Sequence, residues 1–161
     1  MKYLFLLLIM WATITHAEPY KVGTVIPAFS LKDQHGKTHE AGQVIRLILF
    51  CKDMRGQKII GNALEKTSEG YLENYHTLYV ADSSGMPRLI AKFIALPKLR
   101  KQPYKVLLDP EPSVTKDVPS EKDNVTLLYI NNRTIKAIEF VDTPEEVKKA
   151  IEKMKQESEI K

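Results

Sequence analysis

The chain holds a single cysteine, Cys51, in 161 residues. One thiol cannot close an internal disulfide, so the fold must be held by packing, and dithiol exchange within the chain is excluded. Long apolar runs are missing too. The longest, Tyr3 to Trp11, is far short of the roughly 20 residues a membrane-crossing helix needs. Neither sign of charge dominates, since 24 basic and 20 acidic residues leave a net charge of +4. That mild excess is no signature of nucleic-acid binding. Phosphate loops, dinucleotide fingerprints and a Ser-His-Asp arrangement are absent, so no cofactor is expected. Repeats, low-complexity tracts and long linkers are absent as well, which argues against division into several domains.

What is present begins with an address. Lys2 precedes the apolar run, and Thr15-His16-Ala17 places small residues where a signal peptidase cuts. Residues 1–17 therefore read as a signal peptide, with cleavage before Glu18 and export to the periplasm or beyond. No cysteine follows the run, so a lipid anchor at that point is not expected. The remaining stretch, 18–161, is long enough for one domain with a full core and has no transmembrane segment.

The elements are marked by punctuation. Ala28 to Leu31 alternates as a short strand, and Asp33-Gln34-His35-Gly36 is a turn. Ile45 to Phe50 is nearly all apolar, as a strand covered on both faces should be. Ile59, Ile60, Ala63 and Leu64 follow at helical spacing, continued by Tyr71 and Leu72. Thr77 to Ala81 is the next strand. Pro87 then opens a helix whose apolar stripe reads as Leu89, Ile90, Phe93 and Ile94. Tyr104 to Leu108 is a third strand, and Val125 to Ile130 with Ile135 to Phe140 forms a hairpin around Asn131 to Thr134. Thr143-Pro144-Glu145-Glu146 starts a last helix with an N-cap and acids at the positive dipole end. Its inward face reads as Val147, Ala150, Ile151 and Met154. Strands alternating with helices imply parallel pairing, and the closing hairpin adds antiparallel strands. The expected class is α/β, a three-layer sandwich with a central mixed sheet flanked by helices.

Val22-Gly23, Pro27 to Asp33 and Gly36-Lys37 resemble the opening segment of the redoxin branch of the thioredoxin-like superfamily. Val106 to Pro110 and Leu127 to Ile135 resemble two further segments of that branch, so the likeness spans roughly Val22 to Met154. Arg55-Gly56 and Thr143 to Val147 look most like the exported YtfJ-type proteins, which also lack paired cysteines. The resemblance implies a thioredoxin-like fold and carries no established reaction.

Departures from the active pattern matter as much. With Phe50 matched to the strand-end phenylalanine of thioredoxins, their Cys-Gly-Pro-Cys falls on Arg55, Gly56, Gln57 and Lys58. With Cys51 taken as the first cysteine, the second falls on Met54. The peroxiredoxin Pro-x-x-x-Thr-x-x-Cys pattern is missing, because neither a proline nor a threonine stands ahead of Cys51 at the required spacing. The proline that usually precedes the threonine facing the thiol is Val125, next to Thr126.

Several candidate residues follow from this. Cys51 at a strand end reads first as a small buried hydrophobe. The alternatives are a redox-sensitive thiol, favoured by nearby Lys52 and Arg55, or a one-cysteine peroxidase. Arg55, Gly56 and Lys58 at a helix start, with Thr126, form a vestigial active-site region that reads as a binding surface for a small anion or another exported protein. His35 and His39, near Asp33 and Glu40, are weak metal candidates against the plainer reading of a polar hairpin. Arg88, Lys92, Lys98, Arg100, Lys101 and Lys105 crowd the second helix and its exit, and read as a solvated face rather than a contact for anionic lipid or polymer. The favoured function is a non-catalytic binding or accessory module in the periplasm. The alternative is a single-cysteine thiol oxidoreductase or peroxidase using Cys51 with an external reductant.

Overall fold

A computed structural model of the protein describes residues 18–42 and 44–159; the expected leader, residues 1–17, lies outside them. The chain opens with a hairpin of β1 (Phe29–Asp33) and β2 (Thr38–Ala41). Gly36 turns it with a φ of 84°, a left-handed conformation that glycine adopts without strain. β3 (Leu47–Cys51), α1 (Met54–Leu64), α2 (Tyr71–Asn74) and β4 (Thr77–Asp82) follow. A continuous helical stretch comes next: α3 (Arg88–Ile90), a π turn (Ala91–Ala95) and α4 (Leu96–Leu99). β5 (Leu107–Asp109), β6 (Val125–Asn131), β7 (Thr134–Val141) and α5 (Pro144–Glu159) complete the order.

Seven strands make one mixed sheet in the order β2-β1-β5-β4-β3-β6-β7. β3 pairs in parallel with β4, and β4 with β5; β6 is antiparallel to β3 and β7 to β6. This is the α/β sandwich expected. Both crossovers, β3 to β4 and β4 to β5, step in one direction, so right-handed connections put α1 and the 88–99 helix on the same face.

The strand alternation divides the core. Leu47, Leu49 and Cys51 face a layer built by α1, α2 and α5, whose Ile60, Leu72 and Ile151 are fully buried. Ile48 and Phe50 point the other way, into a cluster closed by Tyr20 and Ile26 before β1, Phe29 at its start, and Val114 and Val118 after β5. Each fully buried Leu or Ile in these layers contributes about 1.5–3 kcal/mol. At the start of α5 the backbone N–H of Glu146 donates to Thr143 Oγ1 at 3.4 Å, and Val147, Ala150, Ile151 and Met154 are buried as the spacing required.

Three local expectations are corrected. α1 stops at Leu64, and Tyr71 and Leu72 belong to a separate short helix entered through Gly70 at φ 77°. Tyr104 and Val106 are buried but unpaired, and the third strand begins only at Leu107. The stripe Leu89, Ile90, Phe93 and Ile94 does not face the core. All four are exposed, and the helix turns Ala91, Ala95, Leu96 and Leu99 inward instead.

Candidate functional site

The crossover from β3 into α1 is closed by one carboxylate. Asp53 is the N-cap in extended conformation, and its Oδ1 accepts from Gly56 N–H at 2.8 Å. Its Oδ2 accepts from Asp123 N–H at 2.8 Å, tying the helix start to the loop before β6. The acidic side chain also sits at the positive end of the helix dipole. Those N–H groups and that partial charge are thus already matched from within the chain.

Gly56 lets α1 lie directly on β3. A methyl group added there would stand 2.8 Å from Cβ of Cys51 and 3.0 Å from the carbonyl oxygen of Asn124. Beneath it, Cys51 is 1 % exposed, with Sγ 3.5 Å from the hydroxyl of Tyr79. Burial drives the Cys51 thiol up to about 12, the nearby Asp53 and Asp82 carboxylates push the same way, and the Tyr79 contact offsets only part of this. Burial likewise raises the Tyr79 hydroxyl well above its ordinary value. Burial and this upward shift both favour the protonated thiol over the thiolate that nucleophilic and metal-binding chemistry uses.

The expected site residues separate by depth. Arg55 and Gly56 lie in the first turn of α1 and Lys58 just past it; Arg55 and Lys58 are exposed and Gly56 is buried. Lys52 and Met54 add an exposed cation and an exposed apolar side chain beside them. Thr126 is buried at the β3–β6 register position opposite Phe50, and its hydroxyl donates to the carbonyl of Pro119 at 2.8 Å. At 1 % exposure it belongs to the interior, whereas Arg55 and Lys58 are exposed.

The histidines sit across the sheet in the β1–β2 hairpin. His39 Nε2 is 2.6 Å from Asp33 Oδ2, while Asp33 Oδ1 accepts from the N–H groups of His35 and Lys37. Burial alone would raise the Asp33 carboxyl, but these hydrogen bonds outweigh it and hold it below its ordinary value. Among the described residues no three His, Cys, Asp or Glu side chains converge as a metal site.

A feature that sequence reasoning missed lies between the 88–99 helix and the β1–β5 part of the sheet. A cavity of about 510 Å³ opens there, roofed by Ala91, Ala95 and Leu99 and floored by Ser30 and Leu108, with Gln57 of α1 at its side. The alanine pair at a spacing of four was its signal, since small inward side chains leave space between a helix and the sheet unfilled.

Comparisons agree with this geometry at the level of fold. No family model matches the chain, and no curated protein does. Solved structures do. The chain is similar to peroxidoxin BcpB from Mycobacterium tuberculosis, at 16 % identity over 84 % of this chain and 97 % of that one, with a TM-score of 0.53. It is similar to the thioredoxin domain of a thiol-disulfide oxidoreductase from Bacteroides vulgatus, at 15 % identity over 82 % and 99 % of the two chains and a TM-score of 0.53. A peroxiredoxin-like protein from Aquifex aeolicus gives 12 % identity over 86 % and 90 %, again with a TM-score of 0.53. At such identities the likeness shows a thioredoxin-like fold and nothing about reaction.

Proposed function

We propose that the protein is an exported thioredoxin-like module that binds rather than catalyses, of the kind its resemblance to the YtfJ-type proteins implies. The observation that carries this reading is the sealed thiol. The sole cysteine is buried under Gly56, and its thiol is pushed up to about 12. The solved neighbours include a thiol-disulfide oxidoreductase, and this chain lacks the second sulfur such chemistry uses to release a mixed disulfide.

The binding surface of this reading is the exposed patch of Lys52, Met54, Arg55 and Lys58 around the first turn of α1. Because Asp53 already caps the helix, an anion is held there by side-chain cations and not by free backbone N–H groups. The partner is a small anionic ligand or an acidic segment of another exported protein. The reading places the chain in the periplasm, starting at Glu18.

Thiol labelling tests the central point. Native protein should react with a maleimide at neutral pH no faster than it opens, and one thiol per chain should appear on denaturation. Insulin reduction with dithiothreitol should run at the background rate with and without Cys51→Ser. Rapid native labelling, or turnover lost in Cys51→Ser, would establish the single-cysteine enzyme instead. Mass spectrometry of the native protein checks location: an intact Met1 to Ala17 segment overturns the export reading.

A further inference from the structure

We propose that the outer face of the 88–99 helix docks onto the surface of an anionic phospholipid bilayer. Within this helical stretch Ala91, Ala95, Leu96 and Leu99 are half-buried and every other residue is exposed. Leu89, Ile90, Phe93 and Ile94 are 71 %, 45 %, 66 % and 59 % exposed, on the face turned away from the sheet. A core has no use for that face, and its exposure costs solubility without stabilising the fold.

Charge says what covers it. From Ser83 to Leu108 the chain carries six cations and no acid. Lys105 is paired with Glu73 at 2.9 Å, and Arg100 Nε donates to the carbonyl of Gln34. Arg88, Lys92, Lys98 and Lys101 remain exposed around the apolar face. Lys92 Nζ lies 5.6 Å from the centre of the Phe93 ring, so a cation and an aromatic ring share that face. An apolar face bordered by cations is the pattern of a helix lying in the headgroup region, with side chains among the acyl chains and ammonium groups on lipid phosphates.

Length fixes the mode. Twelve residues span about 18 Å, too little to cross a bilayer, and no helix among the described residues is long and apolar enough to do so. Shape separates lipid from an acidic protein. Leu89, Ile90, Phe93 and Ile94 project as exposed side chains from a helix and line no part of the large cavity, which is bordered by Ala91, Ala95, Leu96 and Leu99 on the inner side. A ridge enters a deformable planar surface directly, whereas a folded partner needs a matching groove. The surface shares no residue with the α1 patch of Lys52, Met54, Arg55 and Lys58, so the two readings stand or fall separately.

The test is flotation of the protein with phosphatidylcholine vesicles prepared with and without phosphatidylglycerol, in low and high salt, with soluble polyglutamate as a competing acidic polymer. The protein should float with the phosphatidylglycerol vesicles, scarcely with phosphatidylcholine alone, and less in high salt. Phe93→Ser combined with Ile94→Ser should weaken partitioning by at least about tenfold, with the thermal midpoint unchanged. Lys149→Ser on α5 should leave partitioning within about twofold. Failure to float with anionic vesicles overturns the proposal. So does partitioning that survives the Phe93 and Ile94 replacements, which would be general attraction of a basic protein. Helix-dependent capture by polyglutamate with no vesicle binding overturns it in favour of an acidic protein partner.

Discussion

Two helices lie on the same face of the sheet and meet it in opposite ways. α1 is pressed onto β3, with Ile59, Ile60, Ala63 and Leu64 buried, its first turn in contact with Cys51 and its N-cap clamped to the loop before β6. The 88–99 helix only half-buries Ala91, Ala95, Leu96 and Leu99, stands over a cavity, and shows Leu89, Phe93 and Ile94 to solvent. Both occupy crossovers of the same hand, so topology does not explain the difference; the inward residues do. α1 offers branched side chains and one glycine at the point of closest approach. The other helix offers Ala91 and Ala95, which keep it near the sheet without filling the space. Tight packing in the first region shuts a thiol away, and loose packing in the second leaves a surface available.

Core truncation breaks the comparison most sharply. Ile60→Ala should cost about 2–5 kcal/mol, because the side chain is fully buried and the cavity left behind cannot collapse. Phe93→Ala, a larger truncation on the other helix, should fall within about 0.5 kcal/mol of wild type. Denaturant titration of the two variants decides it, and comparable losses would mean that the 88–99 helix is part of the core.

Two glycines of α1 sharpen the same point at smaller scale. Gly56→Ala should destabilise by about 1–3 kcal/mol despite the better helix propensity of alanine, since the new methyl meets Cys51 Cβ and a backbone carbonyl. At Gly61 the nearest atom to such a methyl is the hydroxyl of Tyr104, 3.6 Å away, an ordinary contact. Gly61→Ala should therefore stabilise by up to about 1 kcal/mol. Thermal midpoints moving in opposite directions are the expected readout.

Alkaline pH gives an effect smaller than the core truncation. The Cys51 thiol is held at about 12 in the folded protein, against about 8.5 in an unfolded chain. Above the lower value the unfolded chain releases its proton while the folded one keeps it, so stability is intact below about pH 8.5 and falls as pH rises toward the folded value. Between pH 7 and pH 10 wild type should lose on the order of 1–2 kcal/mol more than Cys51→Ala. Equal losses would mean that the thiol ionises freely in the native state.

Much of the fold was legible because its signals are local. The Asn131–Thr134 turn places Asn132 and Arg133 at φ 47° and 65°, as a tight hairpin requires. Thr143 and the spacing of Val147, Ala150, Ile151 and Met154 defined α5. The orientation of the 88–99 helix was not legible. It is apolar on both sides, and periodicity cannot say which side meets the sheet; the π turn at Ala91–Ala95 also shifts the angular positions beyond it. In the candidate site, the absence of a second thiol was plain from composition. The double duty of Asp53 was not, since its second partner, Asp123, lies 70 residues further along the chain. Thr126 was hidden for a similar reason: its hydroxyl is taken by Pro119, a contact that only the folded loop creates.

The Asp53 clamp has a consequence for anyone who tries to rebuild a redox enzyme on this scaffold. Installing thiols through Arg55→Cys and Lys58→Cys would restore the spacing of a thioredoxin pair, but not its reactivity. An oxidoreductase draws its low thiol pKa from unspent positive potential at the helix start. Here a carboxylate spends that potential on holding two chain segments together. The retrofit would also delete two cations, leaving the new sulfurs beside a fixed negative charge and biased toward the sluggish thiol form. Activity would have to be won back at position 53 first, at the expense of the joint that fixes α1 to β6.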